Sequence, residues 1–375
     1  MKKINIGIVG FGGIAKTHVI ATQWMNMMDH ETLYFPHLRG VCTRQNIKHN
    51  FFDYSTADLN DLVQDEEIQI IDVCTPNFLH YQQGLKIIEG KKNIYMEKPI
   101  AKDIHEARIL AETCDKQALI NQAALMYRFY PAVVMARDYI QNNLLGDILH
   151  FRFALYHNGY LDENRPISWR LQHHMCGGGA LMDLGIHMAD LLRFLLGEVE
   201  SVMGQTNTYF KQRYKDKSLR EKIDANVDEW ARLHLNLKNG GRGTLEVSRI
   251  TSDLKEDTLV EIYGTKGNIK ITSDNMYYPT IYHHKRGILE AGRLAPMSEF
   301  SEMVQKTYPS HKFDLGWHNN GHFTSLQNML GNVFEEKIRY QETPTLTEAY
   351  QSQKIVEMGY ISAAQEDRWV KWNEI

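Results

Sequence analysis

The 375-residue sequence predicts an α/β domain built on a doubly wound parallel sheet, followed by an α+β domain with a mostly antiparallel sheet. Three observations predict it. Residues 1–125 alternate strand-like runs with segments of helical period. A glycine-rich turn joins the first strand directly to the first helix. From residue 126 onward, consecutive strands with tight turns replace that alternation.

In the first domain, Ile4, Ile6 and Ile8 alternate with Asn5 and Gly7 into Val9, a strand. Gly10-Phe11-Gly12-Gly13-Ile14-Ala15 follows and opens a helix running through Val19, Ile20 and Trp24. Leu38–Cys42 reads as a second strand ending at Thr43-Arg44, and Ile68–Cys74 as another, followed by Thr75-Pro76-Asn77. Asn77 is placed to cap a helix that stops at Gly90. Asn93–Met96 is a strand ending in Glu97-Lys98-Pro99; Asp103 and Glu106 form a capping box, and Ala118-Leu119-Ile120 closes the series. Strands separated by helices of about 10–15 residues imply a parallel sheet.

The second domain, 126–375, opens with a helix at Pro131 that ends before Gly146. Strands follow at Ile148–Tyr156, Val202–Phe210, Trp230–Leu237, Gly243–Val247, Leu259–Tyr263 and Asn268–Ile271. Asn239-Gly240-Gly241 and Gly264-Thr265-Lys266-Gly267 are hairpin signals. A strong helix spans Ala180–Leu196, and a C-terminal helix near 346–364 is expected at the domain junction. Residues 276–312 carry no clear pattern and read as a long loop or contact arm.

Composition narrows the function. Apolar content of 43% and charged content of 23% describe a soluble globular protein. A net charge of -4 without a basic stripe argues against a nucleic-acid partner. No run approaches the ~20 apolar residues of a bilayer span, and Met1-Lys2-Lys3 leads straight into a strand, so neither a membrane anchor nor a signal peptide is expected. Cys42, Cys74, Cys114 and Cys176 are scattered and fit reduced thiols in the cytoplasm.

The chemistry starts at the G-x-G-x-x-A turn. It lets the backbone turn tightly, approach a pyrophosphate and open a helix whose N-terminus faces the phosphates, so a dinucleotide cofactor is expected. Specificity for NAD usually needs an acidic residue after the second strand; Thr43-Arg44 stands there instead, and arginine pairs with a 2′-phosphate, which favours NADP over NAD. Glu97-Lys98-Pro99 ends a strand at the carboxyl edge of the sheet, where ligands bind. Lys98 there can donate to a substrate hydroxyl, with Glu97 holding it and Pro99 fixing the backbone; an ordinary surface pair beside a turn has the same residues. Asp183 and His187, four apart, share a helix face that Asp190 also reaches. A histidine beside a carboxylate suits a general base, and the spacing suits a packed, satisfied histidine equally well. His173-His174-Met175-Cys176 completes no tetrahedral ligand set, so no metal is expected.

In this order, Gly10–Ala15 with His18, Thr75-Pro76-Asn77 with His80, Glu97-Lys98-Pro99 and Asp183-x-x-x-His187 resemble the Gfo/Idh/MocA family of sugar and inositol dehydrogenases. Tyr127-Arg128-Phe129, Leu145-Gly146-Asp147, Trp169-Arg170 and Ser248-Arg249 extend the resemblance over nearly the whole chain. It implies a Rossmann domain plus an open-faced sheet that shapes the substrate site and often the oligomer contact, giving a homodimer or homotetramer. It places Gly10–Ala15, Thr43, Arg44, Thr75–Asn77, His80, Glu97 and Lys98 at the cofactor. It makes Lys98 and His187 the catalytic pair, with Asp183 orienting a sugar- or polyol-like substrate against Arg128, Tyr156, Trp169 and Arg170. The implied activity is NAD(P)-dependent oxidation or reduction at a carbinol carbon. Two alternatives stand beside it: a glycosidase that uses tightly held NAD for a transient oxidation, and a non-catalytic NAD(P)-binding regulator.

Overall fold

The computed structural model describes residues 1–27, 33–45, 50–252 and 257–375. Two compact units emerge: Met1–Ala101, His105–Phe129 and Val304–Tyr350 form the first; Lys102–Ile104, Tyr130–Met303 and Gln351–Ile375 form the second. A single boundary at 125 therefore does not describe the chain. It returns to the first unit at Val304, and the C-terminal helix Leu346–Ala364 gives its first turn to the first unit and the rest to the second.

The first unit holds β1 (Lys2–Val9), β2 (Tyr34–Cys42), β3 (Tyr54–Thr56), β4 (Ile70–Val73), β5 (Asn93–Met96) and β6 (Asn121–Ala123). All pairings are parallel and the order is β3-β2-β1-β4-β5-β6. This is the doubly wound order, and its reversal between β1 and β4 opens a crevice at the carboxyl ends. Every residue of β4 is buried, as expected for a strand covered on both faces. One core joins Ile4, Ile6 and Ile8 to Val19 of helix Gly13–Met27 and to Phe323, Leu326 and Leu330 of helix Trp317–Phe334.

Three local expectations change here. The closing strand is Asn121–Ala123, because Ala118 adopts a left-handed turn (φ 51°) and the polar strand residues find partners inside. Asn121 Oδ1 accepts from the Leu346 amide at 2.7 Å, and Gln122 Nε2 donates to the Ser325 carbonyl at 2.9 Å. Asn77 is the first residue of helix Asn77–Glu89 and not its cap; Pro76 precedes it without a side-chain capping bond. Strand β3 and helix Trp317–Phe334 had no counterpart in the sequence reading.

The second unit is built on β7 (Ile148–Tyr156), β8 (Val199–Asn207), β9 (Gln212–Tyr214), β10 (Lys222–Asp224), β11 (Trp230–Leu237), β12 (Arg242–Ser248), β13 (Asp257–Gly264), β14 (Gly267–Thr272), β15 (Asn275–His283), β16 (Ile288–Ala291) and β17 (Val370–Lys371). Nine of these form one sheet in the order β16-β15-β14-β13-β7-β12-β11-β8-β17, with β9 and β10 pairing separately. Only β7 and β12 run parallel among its described pairings. Residues 276–312 are thus no loop: they carry most of β15, all of β16 and helix Glu299–Thr307. A register shift between Lys270 and Thr272 displaces the pattern, so Met276, Pro279 and Ile281 are the buried positions of β15 and the period of two is lost. Along β7, Phe151, Phe153 and Leu155 are buried while Arg152 shares the other face with Glu246 and Glu261.

The helix expected over Ala180–Leu196 is a single π turn, Leu181–Gly185, continued by the α-helix Ile186–Leu196. Such wide turns recur at functional sites. Among the described residues no helix is long and apolar enough to cross a membrane.

Candidate active site

In the first unit, Gly10 leaves β1 with φ +86°, and its amide donates to the Cys42 carbonyl at 2.9 Å. A Cβ at Gly10 would lie 2.9 Å from Thr75 Cγ2 and 3.0 Å from the Cys74 carbonyl oxygen, so only glycine fits. Gly12 and Gly13 are the opposite case: a Cβ at either meets no atom within 4 Å. That open space sits at the N-terminus of helix Gly13–Met27, so the residues present fit a dinucleotide pyrophosphate. Phe11 packs edge-on against Phe52. The side chains of Ile14 and the fully buried Ala15 face the core and seat the helix. Thr43 and the exposed Arg44 follow β2 directly, and the Thr43 amide donates to the Thr56 carbonyl at 2.9 Å.

His80, expected at the cofactor, is instead fully buried. Its Nε2 lies 2.7 Å from the Thr75 carbonyl oxygen and its Nδ1 2.8 Å from that of Pro99. It clasps the Thr75-Pro76 turn to the turn bearing Lys98, whose peptide bond to Pro99 is cis. Glu97 does hold Lys98, but through the backbone: Oε2 accepts from the Lys98 amide at 3.2 Å.

The other Glu97 oxygen belongs to a buried cluster that sequence reasoning missed. His18 Nε2 is 3.2 Å from Glu97 Oε1 and 3.2 Å from His322 Nδ1. His18 Nδ1 is 2.8 Å from Asp72 Oδ2, and Cys74 Sγ donates to Asp72 Oδ1 at 3.3 Å. Burial pushes His18 down, but the Asp72 carboxylate and Cys74 outweigh it and hold the ring well above its ordinary pKa. Burial pushes Glu97 up, and the bond and charge of His18, with Lys98, bring it below the usual carboxylate range. The signal available was a carboxylate, Asp72, inside an otherwise apolar buried strand. Among the described residues, the converging groups of metal-ligating type are His18-Asp72-Cys74 and His18-Glu97-His322, and neither includes His173 or His174.

Arg128 is corrected as well. It is 2% exposed, donates Nη1 to the Glu342 carbonyl at 3.0 Å and pairs Nη2 with Glu348 at 3.0 Å. Tied to 342–348, it holds the first unit together and does not form a sugar-facing wall.

In the second unit, the glycine triplet exists for close approach. A Cβ at Gly177 (φ +79°) would collide with the Lys102 carbonyl, one at Gly178 with the Tyr360 ring, and one at Gly179 with the Asp228 backbone. The Asp228 carboxylate accepts from the Gly179 amide (2.7 Å), the Leu181 amide (2.8 Å) and the Tyr360 hydroxyl (2.8 Å). It therefore seats the start of the segment that carries Asp183 and His187. Asp183 lies 3.7 Å from Nη1 of the buried Arg249, whose Nη2 donates to the Asp228 carbonyl at 3.1 Å. His187 is 5% exposed in the first turn of its helix. Asp190 is fully buried and accepts from the Ser352 hydroxyl at 3.1 Å.

Trp169 packs on a small core of Tyr160, Leu171, Cys176 and Val227, and the exposed Arg170 guanidinium lies 4.2 Å from its ring centre. Burial and the nearby Glu246 push the Tyr156 phenol up, against Arg152, which places Tyr156 among the charges of the sheet face.

Residues 4–124 match the oxidoreductase family's NAD-binding Rossmann fold, and residues 133–270 match the Gfo/Idh/MocA C-terminal domain. Levoglucosan dehydrogenase of Pseudarthrobacter phenanthrenivorans is 29% identical over 72% of this chain and 73% of its own length. Glucose-6-phosphate 3-dehydrogenase of Bacillus subtilis is 27% identical over 96% and 95%. A levoglucosan dehydrogenase structure with NADH and levoglucosan superposes with a TM-score of 0.88 at 26% identity, covering 99% of both chains. The glycine cradle on a 3-2-1-4-5-6 sheet, followed by the matching C-terminal domain, shows that the chain belongs to the Gfo/Idh/MocA family of oxidoreductases.

Proposed function

We propose that this chain transfers a hydride between a nicotinamide dinucleotide and a carbinol carbon of a sugar, polyol or related cyclic alcohol. The observation that carries the reading is the open cradle at Gly12 and Gly13 on the same sheet edge as the Lys98 turn. The relatives named for levoglucosan and glucose-6-phosphate support the substrate class.

A bound nicotinamide supplies the hydride acceptor. Gly10, Gly12 and Gly13 hold the pyrophosphate, and Arg44, with no carboxylate beside it after β2, favours a 2′-phosphate and hence NADP. His187 takes the hydroxyl proton and Lys98 polarises the forming carbonyl. Asp183 accepts from a substrate hydroxyl while Arg249 sets its orientation, and the exposed Arg170 offers a further donor to vicinal hydroxyls. The charged face of the nine-stranded sheet serves a homodimer or homotetramer.

The test is a fluorescence titration with NADH and NADPH, then nicotinamide absorbance across a panel of sugars and inositols. Binding with sugar-dependent absorbance change supports the reading, and His187→Ala should lower kcat by about 10²–10⁴-fold at unchanged cofactor affinity. Binding without net redox change would favour glycoside cleavage or sensing, and no binding would refute the reading.

A further inference from the structure

The Lys98 turn sits on a buried charged cluster whose members come from four distant parts of the first unit. His18 lies in helix Gly13–Met27, Asp72 in β4, Glu97 after β5, and His322 in helix Trp317–Phe334. His18 is fully buried, Asp72 1% exposed, His322 2%, Cys74 5% and Glu97 6%. Burying two carboxylates is costly unless a cation and hydrogen bonds compensate them, and the imidazole lies between both.

The proton positions follow from the partners. Asp72 Oδ2, at 2.8 Å, can only accept, so Nδ1 carries a proton. Glu97 Oε1 lies 3.2 Å from Nε2 as its ion-pair neighbour, and His322 Nδ1, also at 3.2 Å, is the hydrogen-bond partner of that nitrogen. Also beside the ring are the Cys74 thiol, which donates to Asp72, and Tyr95, whose ring centre is 5.4 Å away and whose hydroxyl bonds Ser325. His318 meets His322 edge-on, and burial, Lys98 and His18 push it down, against Glu97. The cluster is thus one cation between two anions. A metal ion between Nδ1 and Asp72 would hold its ligand atoms more than about 3 Å apart, which the 2.8 Å contact does not allow.

We propose that His18 is a positioning residue for Lys98: clamped between Asp72 and Glu97, its imidazolium holds the Glu97 carboxylate on the Lys98 backbone amide. It thereby links the helix that opens at the glycine turn to the turn that carries the lysine. The role assigned to Lys98 rests on the oxidoreductase reading above. An ion pair kept only for stability is weak in energetic terms, since a well-packed apolar set is often as stable. What the carboxylate adds is an acceptor for the Lys98 amide, 3.2 Å from Oε2. Misplacing a reacting group by about 1 Å costs on the order of 100-fold in rate.

The test compares His18→Gln, Glu97→Gln and the double variant as full-length protein. Without cofactor, amide exchange at residues 96–100 should rise by at least about tenfold in each single variant and no further in the double, since both act on one contact. In turnover, kcat should fall on the order of 100-fold with KM within about threefold, again without addition in the double. Unchanged exchange at Lys98 in His18→Gln, or losses that add in the double, would overturn the proposal. If the variants do not fold, ¹⁵N spectra of the wild-type protein decide: the ring assigned through its contacts to Tyr95 and His322 should stay protonated on both nitrogens at neutral pH. A neutral or metal-bound ring would overturn the proposal. If the protein shows no cofactor-dependent turnover, the exchange and ¹⁵N measurements still stand or fall by themselves, so the two failures are separable.

Discussion

Replacing Asp228 by Ala tests whether the helix start, and not the local sequence, places Asp183 and His187. The carboxylate is 6% exposed and accepts three hydrogen bonds. The Gly179 amide keeps a second acceptor, the Tyr360 oxygen at 3.0 Å, so its loss is partial. The Leu181 amide and the Tyr360 hydroxyl proton lose the acceptor that Asp228 provides in an environment closed to water. Each buried donor left unmade costs about 1–3 kcal/mol, so the change should destabilise the second unit by about 4 kcal/mol. Asp228→Asn keeps one acceptor oxygen but sets an NH₂ against a donor, and should cost about half as much. The assay is hydrogen exchange at residues 179–187 together with kcat. Exchange should accelerate there before it does in β7 and β12, and kcat should fall on the order of 100-fold. A loss under about 1 kcal/mol with unchanged exchange at Leu181 would refute the reasoning, because it would mean that the backbone contacts alone seat the helix.

Three further outcomes follow from the same structure. Gly12→Ala should leave thermal stability unchanged, since its Cβ meets nothing within 4 Å, yet weaken NADH or NADPH binding by about tenfold or more; a drop in melting temperature with unchanged affinity would move the cradle elsewhere. His18 is held above the 6.5 of a free histidine, so its contribution to stability is complete below pH 6.5 and is lost as pH rises through the raised value. Glu97, depressed below 4.5, contributes fully above pH 4.5 and loses that contribution as pH falls through its lowered value. Urea midpoints should therefore decline more steeply from neutral to alkaline pH in the wild type than in His18→Gln, where the buried thiols, raised by burial, still lower stability at high pH. Arg44→Asp should weaken NADPH binding more than NADH binding, read by fluorescence titration, and an unchanged preference removes Arg44 from a 2′-phosphate role.

The parts legible in the sequence were those with local causes. The alternation Ile4-Ile6-Ile8, the glycine turn and the hairpin at Asn239-Gly240-Gly241 all follow from steric rules that act over a few residues. The Lys98 turn was found for the same reason: it follows directly on a recognisable strand. Helix Trp317–Phe334 was not found, because Asn320, Thr324, Ser325 and Asn328 are buried beside Phe323 and Leu326, and a helix buried with polar residues shows no apolar stripe. Its polar groups are satisfied from afar, as when Asn328 donates to Gln122 at 2.9 Å. Arg128 differs in the opposite direction: the resemblance put it at the substrate, while its partners, Glu342 and Glu348, lie more than two hundred residues away.

The sequence by itself determined the two sheet types, the dinucleotide turn and the positions of Lys98, Asp183 and His187 along the chain. Backbone sterics and side-chain period act between neighbours, so they leave a trace in short windows. Only the tertiary structure decided which buried charges meet. His18 joins Asp72, Glu97 and His322 across separations of up to 304 residues, and Asp228 reaches Gly179 and Tyr360 from 49 and 132 residues away. A buried polar group is stable wherever the fold supplies its partner, and that partner carries no mark of its role until the chain has closed around it.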